Sequence, residues 1–235
     1  TADGKVLKIV DGKLATVANL LTGLDNFAFN DKDEIFVSSY ADGSILKING
    51  DEIEEILPGG ISHPGGLAVY KNTLVVADIQ SVRSFNLNNQ NQDWVLRNIF
   101  RSSPLGANTS AAILDDHILL TSWVDNTVKI LNPESGKIIK SFEGLNIPVS
   151  AAKFNDSYVV ALHGNSSISI LKDDGSLDIL SDALDFPTHV IPYKDGLLVS
   201  DRNRGEVIQI SSSGDTNTLI SGLNSPEGIA FIDDT

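Results

Sequence analysis

A short apolar stretch recurs six times along this chain, and its spacing is the tightest constraint on the fold. The copies read LDNFAF (24–29), PGGLAV (64–69), NTSAAI (108–113), PVSAAK (148–153), PTHVIP (187–192) and PEGIAF (226–231). Their starts lie 40, 44, 40, 39 and 39 residues apart. A period in that range marks a chain of stacked repeats, each too small to bury a core alone. Five of the copies lead into a second apolar run: EIFVSS (34–39), TLVVAD (73–78), HILLTS (117–122), YVVALH (158–163) and LLVSDR (197–202). A polar turn, often holding Gly or Asn, comes next. A third run then alternates with period two, as in TVKIL (127–131) and VIQI (207–210), and a more charged fourth run closes the unit, as in EIEEIL (52–57). No window sustains the apolar spacing of a helix.

Four short strands in every 40 residues or so, separated by turn chemistry, predict the blade of a β-propeller. Apolar first and second strands suit packing between neighbouring blades, and a charged fourth strand suits an outer edge that must discourage pairing. The sequence therefore predicts an all-β, six-bladed β-propeller with four antiparallel strands per blade. It spans 1–235, with blades starting near 24, 64, 108, 148, 187 and 226. The chain opens on VLKIV (6–10) and LATVA (14–18), which match third and fourth strands, and it finishes on a first strand. The N- and C-terminal strands are accordingly expected to share one blade. The second strand of that blade is missing or reduced to a stub at Thr1–Asp3, and a parent ring of seven or eight blades is the alternative.

Composition narrows the partners. With 31 acidic and 17 basic residues the formal charge is −14, which repels phosphate backbones and anionic membrane surfaces. Nucleic acid and membrane insertion are set aside, since no run nears the roughly 18 apolar residues of a membrane helix. The absence of cysteine removes disulfides, thiolate chemistry and Cys-ligated metals. Methionine is absent too, so a leader is expected to have been removed and the protein to be exported, periplasmic or extracellular. The chain is read as a monomer that takes a small molecule or a protein at its axial face.

The stretches SPEGIAF (225–231) and GLLVSDRNRGEVIQI (196–210) resemble the strand motifs of the NHL and SMP-30/gluconolactonase-like propellers. WVDNTVKILNPESGKIIKSFEG (123–144) resembles a YVTN-type blade. The SMP-30 resemblance implies a divalent cation, Ca²⁺ or another, at the axial opening and hydrolysis of lactones. Carried over by position, the metal ligands would be Asp25, Asn108, Glu227 and Asp201. The sequence departs from that pattern at the equivalent positions Gly65, Thr109, Val149 and Thr188.

First-strand starts converge on the axis of a propeller, where a ligand would sit. Glu227 and His189 are the candidate catalytic groups, a carboxyl and an imidazole suited to proton transfer. Asn26, Ser110, Tyr40, Trp123, His163 and Arg202 are the candidate ligand contacts. Each has a plainer alternative: carboxylates that cap turns, histidines satisfied by backbone, aromatics that fill space between blades. A Ser110–His189–Asp201 triad has no GxSxG elbow to support it. Two functions lead: a binding or interaction domain with a polar axial site, and a metal-dependent hydrolase of the lactonase kind. A lyase or synthase using a Glu or His in the same pocket is the third.

Overall fold

The computed structural model describes residues 3–10, 13–97, 108–114 and 116–230. The alternating runs form antiparallel meanders, as short strands joined by tight turns must. The first four-stranded sheet holds β3 (Leu24–Phe29), β4 (Ile35–Ser39), β5 (Ile45–Asn49) and β6 (Glu52–Leu57). The second holds β7 (Pro64–Tyr70), β8 (Thr73–Asp78), β9 (Ser81–Asn86) and β10 (Gln92–Arg97). The third holds β11 (Asn108–Leu114), β12 (His117–Ser122), β13 (Thr127–Leu131) and β14 (Ile138–Phe142). The fourth holds β15 (Pro148–Phe154), β16 (Ser157–Leu162), β17 (Ser167–Leu171) and β18 (Leu177–Ser181). The fifth holds β19 (Pro187–Tyr193), β20 (Gly196–Asp201), β21 (Glu206–Ile210) and β22 (Thr216–Ile220). A separate two-stranded sheet pairs β1 (Lys5–Val10) with β2 (Lys13–Asn19).

The core lies between blades. Residues alternate along each strand, so one face of a blade meets its predecessor and the other its successor. Leu119, Val128 and Ile130 of the third blade pack on Val160, Leu162 and Leu171 of the fourth. From its other face the third blade sends Ile118, Leu120 and Leu131 onto Val75, Ala77 and Val82 of the second. Ile118, Leu131, Leu162 and Leu171 are wholly buried, and each such side chain contributes roughly 2 kcal/mol. The turns between second and third strands reverse through left-handed residues, among them Asn126 (φ 58°) and Gly205 (φ 65°).

The described residues make five four-stranded blades, not six. The sixth copy of the repeat forms no strand through Ala230, and it does not join β1 and β2 in a shared blade. The reason lies in hydrogen bonding. An inner strand takes its ladder from the second strand of its own blade, and among the described residues no strand pairs with the sixth copy. Its backbone is held by its neighbours instead. Ile229 N–H donates to His189 Nδ1 (3.1 Å), Gly228 N–H to the Asp25 carbonyl (3.3 Å), and the Glu227 carbonyl accepts from Ser200 Oγ (2.5 Å). Ile229 and Leu223 pack on the fifth blade, while β1 and β2 pack on the first through Val6, Val17 and Ala18.

Candidate axial binding site

Every inner strand carries a bulge at the same place. Pairing skips from Leu24 to Phe27, Pro64 to Leu67, Asn108 to Ser110, Pro148 to Ser150 and Pro187 to His189. The skipped residues are Asp25 with Asn26, Gly65 with Gly66, Thr109, Val149 and Thr188. A bulge frees a residue from the pleat and re-aims its side chain. Here it places one position of each repeat at the inner end of the blade. The register also explains a hydroxyl one residue before the end of alternate second strands. Ser38 Oγ donates to the Gly65 carbonyl (2.9 Å), Thr121 Oγ1 to that of Val149 (3.1 Å) and Ser200 Oγ to that of Glu227 (2.5 Å). Each ties a blade to the bulge of the segment that follows. Glu227 thus stands to the fifth blade as Gly65 stands to the first.

These residues enclose a cavity of about 120 Å³ lined by Asp25, Asn26, Val149, His163, Thr188, His189, Glu227 and Gly228. That is well below the several hundred Å³ of a drug-sized pocket, and it suits one small polar group. Gly228 closes one wall: a Cβ there would stand 2.6 Å from Asn26 Oδ1. A larger groove of about 400 Å³ opens beside the third and fourth blades, where Lys140 pairs with Asp173 (2.9 Å) and His117 Nδ1 lies 2.7 Å from Asp116. The smaller cavity gathers the raised carboxyls and both axial histidines.

Its electrostatics follow from burial. Glu227 is pushed up to about 7, chiefly by burial, with Arg202 opposing and the Asp25 charge adding. Asp25 rises to about 6 for the same main reason, again opposed by Arg202. Arg202 reaches in from the end of the fifth blade, placing Nη1 3.0 Å from Glu227 Oε1. Removing water from the carboxylates outweighs that attraction. His189 is held down to about 4 by burial. It is therefore neutral, and because Nδ1 accepts from Ile229, its proton sits on Nε2. Burial also lowers His163, helped by Arg202 and opposed by the Pro187 carbonyl. The His163 ring stacks on Phe186 with centroids 3.9 Å apart, and its Nε2 is buried without a hydrogen-bond partner.

Of the residues singled out from sequence, Asp25, Asn26, His163, His189 and Glu227 come together at the cavity, and Arg202 reaches it through Glu227. Asn108 and Ser110 belong to β11, but their side chains lie outside the described residues. Tyr40 and Trp123 sit on the loops after β4 and β12 and are not lining residues; Tyr40 packs on His63 at 4.6 Å. Asp201 is fully buried and accepts from the backbone N–H of Asp185 (2.7 Å), Phe186 (3.1 Å) and Arg204 (3.3 Å), which fixes two loops. Thr188, Gly228 and the tying hydroxyls were the contributors that sequence reasoning undervalued. The recurring Ser or Thr before the end of the second run was their signal.

The donor set does not suit Ca²⁺, which takes six to eight oxygens. The Asp201 oxygens are occupied by backbone donors and Glu227 already holds a guanidinium. Among the described residues no three acidic or imidazole side chains converge as ligands.

Comparison with known proteins agrees on architecture. A chain of a nidogen/laminin complex superposes with TM-score 0.78 at 15% identity, covering 97% of this chain and 94% of that one. A catalytically inactive virginiamycin B lyase from Staphylococcus aureus, solved with quinupristin, gives 0.72 at 15% identity, covering 97% and 82%. A streptogramin B lyase gives 0.71 at 13% identity, covering 97% and 80%. The chain is a β-propeller. No family model matches the sequence, and no curated protein matches it either. Identities this low carry the propeller's fold and nothing of its chemistry. Among the described residues of the propeller no helix is long and apolar enough to cross a membrane.

Proposed function

We propose that this propeller is a binding domain that receives a small polar group, carried by a partner molecule, in the axial cavity. The supporting observation is the pair Asp25 and Glu227, kept in a buried site where burial raises both pKa values. Groups with strongly perturbed pKa values cluster at functional sites. The buried, unpartnered Nε2 of His163 adds a second open valence at the same place. The nidogen/laminin likeness lends weight, because that propeller was solved in a protein complex.

A second reading is lyase chemistry. Glu227, titrating at about 7 beside a neutral His163, is poised to take a proton at neutral pH, and two of the similar structures are lyases. Consumption of quinupristin by the parent but not by Glu227→Gln, followed by chromatography, would favour it.

The binding reading is tested by thermal melting with glycerol, lactate, acetamide and methylamine, using Val149→Phe to fill the cavity. A ligand that binds only the folded state raises its melting temperature. The expected result is a rise for at least one probe in the parent and none in the variant. Parent and variant responding alike to all four would overturn the reading.

A further inference from the structure

The two ends of the ring differ in composition. At the cavity end lie the connections from second to third strands and from each blade to the next. There Leu21, Tyr40, Trp123 and Val124 are exposed, with Trp123 at 46%. The chain's other exposed large hydrophobics lie on β1, β2 and the outer fourth strands. Lysine shows the opposite bias. Lys32, Lys71, Lys137, Lys172 and Lys194 stand exposed in turns at the far end, and no described loop at the cavity end contains a lysine. Its two cationic side chains there are arginines, Arg202 and Arg204. Exposed Trp and Tyr with Arg, and no Lys, is the composition of protein interfaces.

Charge states what kind of partner fits. Asp42, Asp125, Glu143, Asp182 and Asp185 are exposed around the cavity end. With Arg202 and Arg204 that rim remains acidic, and opposite charge across an interface steers and orients a partner. The cavity asks for the same thing at close range. Asp25 and Glu227 present oxygens, and the buried Nε2 of His163 has no hydrogen-bond partner. A group that brings several N–H donors satisfies all three at once. Arg202 already plays part of this role, with a side chain 46% exposed and its guanidinium on Glu227.

We propose that a partner protein docks on the cavity end of the ring and inserts a lysine or arginine side chain into the axial cavity, against Asp25, Glu227 and His163. This rests on the binding reading above and adds the chemistry of the occupant. Around it, Trp123 and Tyr40 supply the apolar contact that a lone side chain lacks.

Two measurements separate this from the broader reading. N-acetyl-lysine amide and N-acetyl-arginine amide are titrated into ¹⁵N-labelled protein, with N-acetyl-norleucine amide as the uncharged control, and the ring nitrogens of His163 and His189 are followed. A basic probe should give saturable shifts and norleucine none. Equal response to all three, or a response only to neutral probes such as glycerol, overturns the basic occupant while leaving a binding cavity in place. Second, an oligolysine peptide is bound at physiological salt. Glu227→Gln should weaken it about thirtyfold or more, as loss of one member of a buried charge pair does, and Trp123→Ser should weaken it as well. Glu134→Gln, at the far end, removes the same charge and should cost less than about twofold, since exposed charges are screened. Equal losses for Glu227→Gln and Glu134→Gln, or full affinity in Trp123→Ser, would overturn the docking face.

Discussion

Replacing Glu227 by glutamine should stabilise this propeller above neutral pH, although it deletes an ion pair. The Glu227 carboxyl titrates at about 7 against an ordinary 4.5, because burial disfavours its charged form. Between those two values the folded state keeps a proton that the unfolded chain has released. Stability therefore falls as the pH rises through that window, and the whole penalty is present above pH 7. A shift of this size corresponds to about 3 kcal/mol. The side chain is only 19% exposed, so solvent screening trims the figure little. Arg202's attraction needs no separate subtraction, since it acts by pulling that same pKa down. Glutamine keeps the shape without the charge. The variant should match the parent near pH 4 and exceed it near pH 8 by about 2–3 kcal/mol, or about 4–12 °C in melting temperature for a chain of this size. Melting followed by circular dichroism across that range gives the variant-minus-parent difference, which cancels the titration of groups that do not interact with Glu227. A difference that stays constant with pH, or that favours the parent at high pH, would refute the reasoning.

Three further outcomes are expected. Gly228→Ala puts a Cβ 2.6 Å from Asn26 Oδ1; it should lift the C-terminal segment off the ring and return the Asp25 carboxyl from about 6 toward its ordinary 3.8, read by NMR titration. Asp201→Ala strands the part-buried N–H groups of Asp185 and Phe186 and should cost about 2 kcal/mol in urea denaturation, with an unchanged profile refuting its structural role. Arg202→Gln removes a cation that lowers both Glu227 and His163, so both should titrate higher in NMR, and movement of only one would place Arg202 elsewhere.

Much of the architecture was legible because a propeller states its hydrogen-bonding pattern locally. Each blade is a meander whose strands are neighbours in sequence, so alternation and turns in LLVSDRNRGEVIQI predict β20, its turn and β21 without distant information. Repeat alignment also put residues 25, 149, 188 and 227 at equivalent positions, and the cavity is lined by them. The blade count differs at the sixth copy, with which no strand among the described residues pairs. PEGIAF has the pattern of an inner strand, but pattern alone does not supply a ladder, and its amides went to His189 and Asp25 instead.

What the sequence hid was contact between blades. Ser38 bonds Gly65, 27 residues on, and Thr121 bonds Val149, 28 on; neither link lies within one repeat. Asp201 looked like a ligand by type, whereas its buried place beside the Asp185–Phe186 backbone turns it into a loop anchor. Tyr40 and Trp123 share the register of residues near the axis, yet both are exposed and neither lines the cavity.

Two carboxyls are buried together at the axis, and carbon-detected NMR titration of Asp25 and Glu227 measures that burial directly. Midpoints of about 6 and about 7 are expected. Midpoints at the ordinary 3.8 and 4.5 would mean that both side chains face water, and the axial site would not exist.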